Sequence, residues 1–132
     1  MATPPGTQGL HLLIELRECA AELLDDRTGL EAVLRLSAEA IGAQVVAVAF
    51  HQFSPRGVTG FVLLAESHLS IHTWPEQRYA AVDLFSCGNT EPGRAVDLLV
   101  RALGARRVET LHVRRGLLDQ PSASKLVAGT CD

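Results

Sequence analysis

Leu63-Leu64-Ala65-Glu66-Ser67-His68-Leu69-Ser70-Ile71-His72-Thr73-Trp74-Pro75-Glu76 is the stretch on which the reading of this chain turns. It closes one predicted strand, Val58 to Ser67, and supplies the next, Leu69 to Trp74, before Pro75 interrupts the pattern. A further strand, Ala80 to Phe85, ends at Cys87-Gly88. On the N-terminal side, Gln44 to Phe50 is β-branched and apolar and predicts a buried strand, and Ser54-Pro55-Arg56-Gly57 predicts a turn. Thr28 with Glu31 fits a capping box. The helix it opens puts Leu30, Val33, Leu34 and Ile41 on one face and stops at Gly42. His11 to Cys19 sets Leu12, Ile14 and Leu16 on one side, as a strand does, but it equally fits the start of a helix running to Leu24; periodicity does not choose.

On the C-terminal side, Asn89 or Thr90 is placed to cap a helix with Pro92 in its first turn. Val96, Leu99, Val100 and Leu103 form its apolar face, and Gly104 stops it. Val108 to Arg114 predicts a last strand, and from Asp119 onward a polar, small-residue tail is expected to be loosely held. About six strands and two helices make a sheet covered on one face by helices.

Composition bounds what such a domain does. The chain has 132 residues, which suggests a single domain, and 47% are hydrophobic, enough for a real core. The net charge is −3, from 12 basic and 15 acidic residues, with no basic block, so a nucleic-acid partner is not expected. The N-terminal stretch from Met1 to Gly9 has neither a positive region nor a long apolar run, so no signal peptide or membrane helix is expected there. Cys19, Cys87 and Cys131 are odd in number and form no CxxC pair, which fits neither a disulfide framework nor a structural zinc site. No metal is expected, and a reducing, cytoplasmic setting is.

Ala65 to Glu76 (AESHLSIHTWPE) and Tyr79 to Gly88 (YAAVDLFSCG) occur in order and close together. The pair resembles the prokaryotic S-adenosylmethionine decarboxylase proenzymes, a pyruvoyl-dependent, self-cleaving family. The likeness extends more weakly over residues 11 to 115, taking in His11-Leu12-Leu13, Glu15, Cys19, His51-Gln52-Phe53 and Gly57-Val58-Thr59-Gly60. It implies an α+β two-layer sandwich, mainly an antiparallel sheet with helices on one face. It also implies a homodimer of cleaved protomers with active sites near the subunit boundary.

By resemblance, Ser67 is the pyruvoyl precursor and the Glu66–Ser67 bond is the cleavage site. The serine hydroxyl attacks the Glu66 carbonyl carbon and converts the amide to an ester. Loss of the Ser67 α-proton then expels the Glu66 carboxylate. The resulting dehydroalanine tautomerises and hydrolyses to a pyruvoyl group, releasing ammonia. The products are residues 1–66 and 67–132, the second capped by a ketone that forms a Schiff base with an amine substrate and acts as an electron sink. A serine at a strand end, seen alone, is ordinarily a hydrogen-bonded surface residue.

His72 falls on the family's processing histidine, a general base for the α-proton. Positions 67 and 72 differ by five, so on a regular strand they would face opposite sides unless a bend, bulge or turn intervenes. His68, adjacent to the cut, is a rival base. Cys87 falls on the catalytic cysteine, which protonates the substrate carbon after carbon dioxide leaves; Cys19 and Cys131 carry no such implication. Thr59 stands where the family commonly has a serine whose hydroxyl assists processing. Phe53 and Trp74 are candidates to stack adenine or face the sulfonium, and Glu76 to accept hydrogen bonds from the ribose. Glu15 is taken as ordinary. The implied substrate is S-adenosylmethionine, feeding spermidine synthesis. The alternatives are an arginine or ornithine decarboxylase of the same chemistry, or an uncleaved regulatory homologue.

Overall fold

The computed structural model describes residues 8–87 and 90–116, apart from the side chain of Gln8, and the backbone of 124–130. Along the chain come β1 (Gln8–Arg17), α1 (Ala21–Leu24), α2 (Arg27–Ala40), β2 (Val45–Gln52), β3 (Val58–Leu64) and β4 (His68–Trp74). A short 3-10 turn (Pro75–Gln77), β5 (Tyr79–Cys87), α3 (Pro92–Leu103), β6 (Arg107–Gly116) and β7 (Ser124–Thr130) follow. The strands form one sheet in the order β2-β3-β4-β5-β1-β6-β7, antiparallel at every pairing. Helix α2 packs on β2, β3 and α3, and α3 packs on β1, so the helices cover one face. The molecule is the α+β two-layer sandwich expected of its sequence pattern.

The period-two reading of β1 prevails over the helical one: Leu12, Ile14 and Leu16 are buried while His11, Leu13, Glu15 and Arg17 alternate to the other side. Helix α2 contributes Leu30, Leu34 and Ala38 to the core, and α3 contributes Ala95, Leu99 and Leu103. They share it with Leu69, Ile71, Val82 and Leu84 from the central strands. Each such leucine stabilises the fold by about 1.5–3 kcal/mol on burial.

Several expectations are corrected. Helix α2 is capped by Asp26, whose Oδ1 accepts from the Gly29 N–H at 3.0 Å, so Thr28 lies inside the helix. Glu91, not Thr90, precedes α3, with no side-chain cap bond but an ion pair to Arg94 at 2.6 Å; Asn89 lies outside the described residues. Gly104 ends α3 at φ +67°, as expected of a left-handed stop. The strand expected to be buried, β2, is an edge strand with Val46 58% exposed, because it pairs only with β3. The tail is not loosely held over 124–130: it adds β7 to the free edge of β6, where unpaired backbone groups await a partner. Cys131 lies outside the described residues.

Among the described residues, no second layer covers the face opposite the helices. Leu13, Phe61, Leu63 and Trp74 stand exposed on it, next to four of the five histidines: His11, His51, His68 and His72. An apolar patch of this kind on a sheet marks a binding surface.

Candidate active site

Ser67 is not part of a strand. It closes the β3–β4 hairpin: the Leu64 N–H donates to the Ser67 carbonyl at 3.0 Å, and the Ser67 N–H to the Leu64 carbonyl at 3.5 Å. The Ala65 N–H donates to the Gln44 carbonyl at 3.1 Å, which fixes the tip of the turn. The strand-alternation objection to Ser67 and His72 therefore lapses, since β4 begins only at His68. Cys87 ends β5 beside this turn, and its Sγ donates to the Glu66 carbonyl oxygen at 3.3 Å. That oxygen belongs to the amide a Ser67 hydroxyl would attack. The contact between the two sequence-chosen residues Cys87 and Glu66 spans 21 positions, so no local pattern announced it.

Thr59 and His72 sit directly opposite each other on β3 and β4, and Thr59 Oγ1 lies 3.0 Å from His72 Nδ1. When the hydroxyl accepts from Nδ1–H, the Nε2 lone pair is left free, which is the form a general base needs. The pair is remote from its own Ser67. Five residues at ~3.3 Å each put His72 about 16 Å along the hairpin from Ser67, against the ~3 Å that proton transfer needs.

Phe53, Trp74 and Glu76 lie at the same end of the sheet as His72. Phe53 is 47% exposed at the start of the β2–β3 loop and closes it through its N–H to the Gly57 carbonyl at 2.8 Å. Trp74 ends β4 and stacks on Tyr79 at 5.2 Å, and Glu76 is exposed in the 3-10 turn that follows. Gly57 joins the two loops: at φ +107°, a Cβ there would stand 3.2 Å from the Thr73 carbonyl. The candidates thus form two groups, Glu66, Ser67 and Cys87 at one end of the open face, and Thr59, His72, Phe53, Trp74 and Glu76 at the other.

One row of the open face, next to the hairpin, was only partly foreseen. His11, Phe85 and His68 align across β1, β5 and β4. His68 stacks on Phe61 at 5.5 Å, and His11 Nε2 lies 3.2 Å from Asp83 Oδ1. Burial pushes the His68 imidazole below the ordinary 6.5, with His11 adding to the effect, which disfavours its charged form. Further along, Tyr79 Oη donates to both Glu15 oxygens at 2.8 and 2.7 Å, and Arg17 donates to Glu15 at 3.2 Å and to Glu109 at 2.6 Å. Desolvation, then the Glu15 bond, pushes the Tyr79 phenol up to about 12. Glu15 is therefore not ordinary, but its Tyr79 partner lies 64 positions away, which no local pattern announces. Cys19 is fully buried, and burial pushes its thiol up to about 11, so it is an inert core residue. A groove lined by Ala40, Arg94, Asp97, Leu98, Arg101 and Ala102 lies on the helical side, away from all these groups.

The profile of the S-adenosylmethionine decarboxylase family matches residues 10–116. The chain belongs to the S-adenosylmethionine decarboxylase family. It is 47% identical over 114 residues to an S-adenosylmethionine decarboxylase proenzyme of Caldicellulosiruptor saccharolyticus, covering 86% of this chain and 92% of that one. It is 45% identical over 118 residues to the proenzyme of Clostridium tetani, covering 89% and 94%. Its fold is similar to the crystal structure of the adenosylmethionine decarboxylase from Aquifex aeolicus, at 34% identity and a TM-score of 0.77, covering 89% of this chain and 98% of that one. The family match spans both groups of candidate residues. No helix among the described residues is long and apolar enough to cross a membrane.

Proposed function

We propose that this protein is a self-processing, pyruvoyl-dependent decarboxylase of S-adenosylmethionine that supplies the aminopropyl donor for spermidine synthesis. The observation that carries the reading is the Cys87 thiol on the Glu66 carbonyl oxygen at 3.3 Å. Attack by the Ser67 hydroxyl puts negative charge on that oxygen, and a donor already in place stabilises it. Ser67 Oγ bonds to the Glu66 carbonyl carbon, the C–N bond breaks, and the amide becomes an ester. A base then takes the Ser67 α-proton and the Glu66 carboxylate leaves. His72, oriented by Thr59, is that base.

The residues present fit a pyruvoyl group at position 67. The cut falls in the turn of residues 65–67, so the β3–β4 pairing from Leu63 and His68 onward is kept, and the hydrogen bond given up is that of the Ser67 N–H to the Leu64 carbonyl. The fragments 1–66 and 67–132 also stay together, because β1 of the first is held between β5 and β6 of the second. The ketone supplies an electron sink for decarboxylation. Cys87 holds the proton that the substrate carbon receives. Phe53 and Trp74 offer the nucleoside an aromatic platform, and Glu76 a carboxylate for its ribose hydroxyls. A thiol donor requires a reducing compartment, which is why a cytoplasmic setting belongs to this reading.

The separation of the two groups supports a homodimer. About 16 Å along one hairpin cannot be closed by side-chain rotation. A two-fold axis through the open face turns one end of a protomer toward the other end of its partner. Each Ser67–Cys87 group then meets the partner's Thr59–His72 pair and nucleoside wall, and the exposed Leu13, Phe61 and Leu63 are covered. Denaturing mass spectrometry of the purified protein tests the reading. Two fragments are expected, the second blocked to N-terminal sequencing, together with carbon dioxide release from carboxyl-labelled S-adenosylmethionine. A single full-length species that stays folded refutes self-processing and favours a regulatory homologue. Faster release from arginine or ornithine overturns the substrate while leaving the mechanism.

A further inference from the structure

The two loops that carry the nucleoside wall are held by one short segment on neither of them. Residues 19–25, between β1 and α2, grip both. Asp25 Oδ1 accepts from the Gly57 backbone N–H at 2.8 Å and from Gln52 Nε2 at 2.9 Å. Gln52 Nε2 in turn donates to the Gly57 carbonyl at 3.0 Å. One carboxylate oxygen thus pins both ends of the loop that begins with Phe53. The same segment anchors the far side of the wall. Thr73 Oγ1 donates to the Leu24 carbonyl at 2.7 Å and Arg78 Nε to the Cys19 carbonyl at 2.7 Å, on either side of Trp74 and Glu76. Arg78 returns through its own carbonyl, which accepts from the Cys19 N–H at 3.0 Å. None of these groups reaches the hairpin at Ser67.

We propose that Asp25 is a positioning residue for the nucleoside end of the substrate: it sets the Phe53 loop against Trp74 and Glu76 and so governs binding, not self-cleavage or decarboxylation. This rests on the function proposed above. Two donors on a single oxygen tie the start and the end of the loop to one point. They leave Phe53 its exposed position without burying it in the core. A ring held over adenine loses its stacking when the loop that carries it is free to move. The oxygen that matters is Oδ1, which an asparagine retains. The role is therefore one of geometry, and Asp25→Asn should preserve it while Asp25→Ala should not.

The test compares the wild-type protein, Asp25→Ala, Asp25→Asn and Phe53→Ala as full chains. Asp25→Ala should raise KM for S-adenosylmethionine about tenfold, the loss of one well-placed contact, with kcat and the rate of self-cleavage within about twofold of wild type. The Kd for 5′-methylthioadenosine, measured by calorimetry, should weaken by the same factor, since that probe carries only the nucleoside and thioether. Asp25→Asn should restore both values, and Phe53→Ala should mimic Asp25→Ala. Should Asp25→Ala fail to fold, Gln52→Ala removes one of the two donors and should give a smaller rise in KM in the same pattern. Unchanged KM and Kd in Asp25→Ala, or in Gln52→Ala where that variant stands in, overturn the proposal. So does a KM that Asp25→Asn fails to restore, or a parallel fall in kcat and cleavage, which marks a general structural role. Failure of the wild-type chain to cleave or to use S-adenosylmethionine refutes the functional reading itself, and this role with it. Failure confined to the Asp25 variants refutes the role of Asp25 alone.

Discussion

Two chains that cannot cleave alone should cleave when paired. In the proposed mechanism, Ser67→Ala removes the attacking hydroxyl and His72→Ala removes the base. Five residues of extended strand separate their positions by about 16 Å along one hairpin, roughly five times the ~3 Å over which a proton is handed across a hydrogen bond. If His72 serves the partner's Ser67, a mixed dimer contains one site with both lesions and one site with none. The intact site uses Ser67 of the His72→Ala chain and His72 of the Ser67→Ala chain. With random assembly at equal amounts about half of all dimers are mixed, so about a quarter of all chains should be cut, every one of them a His72→Ala chain. Each homodimer should stay whole or cleave about 10²–10⁴-fold more slowly than wild type, the usual contribution of a general base. The assay is co-expression with distinguishable tags, followed by denaturing mass spectrometry of the isolated mixed dimer. Mixed dimers with no cut His72→Ala chain would refute the shared site. Wild-type cleavage by His72→Ala alone would instead remove His72 from the role of base and return it to His68.

Cys87 faces two tasks, and its substitutions should separate them. Cys87→Ser keeps a hydroxyl donor near the Glu66 carbonyl and should still cleave, whereas Cys87→Ala should cleave slowly; both should turn over poorly and inactivate during turnover, and wild-type lifetime in Cys87→Ser would end its assignment as proton donor. His68 gives a pH dependence whose sign follows from its lowered position. A histidine that resists protonation in the fold contributes stability above the ordinary 6.5 that is lost as pH falls through the depressed value. Chemical denaturation between about pH 7 and 5 should show His68→Gln losing less stability than wild type; an equal or steeper loss would count against the desolvation by Phe61 and Phe85.

The fold was legible where pattern and burial agree. Leu12, Ile14 and Leu16, and Leu69 and Ile71, alternate because one face of β1 and β4 meets the helices, and that alternation is written in the residues. It was not legible where an apolar run had another cause. The β2 segment is as apolar as a central strand, yet it lies at the edge, and hydrophobicity does not encode how many neighbours a strand has. The β7 segment reads as a tail because its pairing depends on the free edge of β6 and not on its own period. Asp26 took the cap from Thr28 because both types cap well, and helix phase decides between them.

The site divides in the same way. Ser67, His72 and Cys87 were found through a motif, and motifs report which residues a reaction needs, not which chain supplies them. Their spacing in sequence raised a doubt about the side they face, and left His68 as a rival base. The turn at Glu66–Ser67 removes that doubt and exposes a larger one, because a strand advances ~3.3 Å per residue whichever way its side chains point. His72 nonetheless has its Thr59 partner at 3.0 Å and stands on the exposed face, an arrangement with no use for its own serine. The Phe53–Trp74–Glu76 wall is equally far from the bond it is meant to serve. A single misplaced residue would argue against the function; a whole set displaced together, on the face that bears the exposed Leu13, Phe61 and Leu63, argues for a second copy. On the proposed reading, the short β3–β4 hairpin holds the bond to be cut at one end and, at the other, the groups that act on the partner's bond.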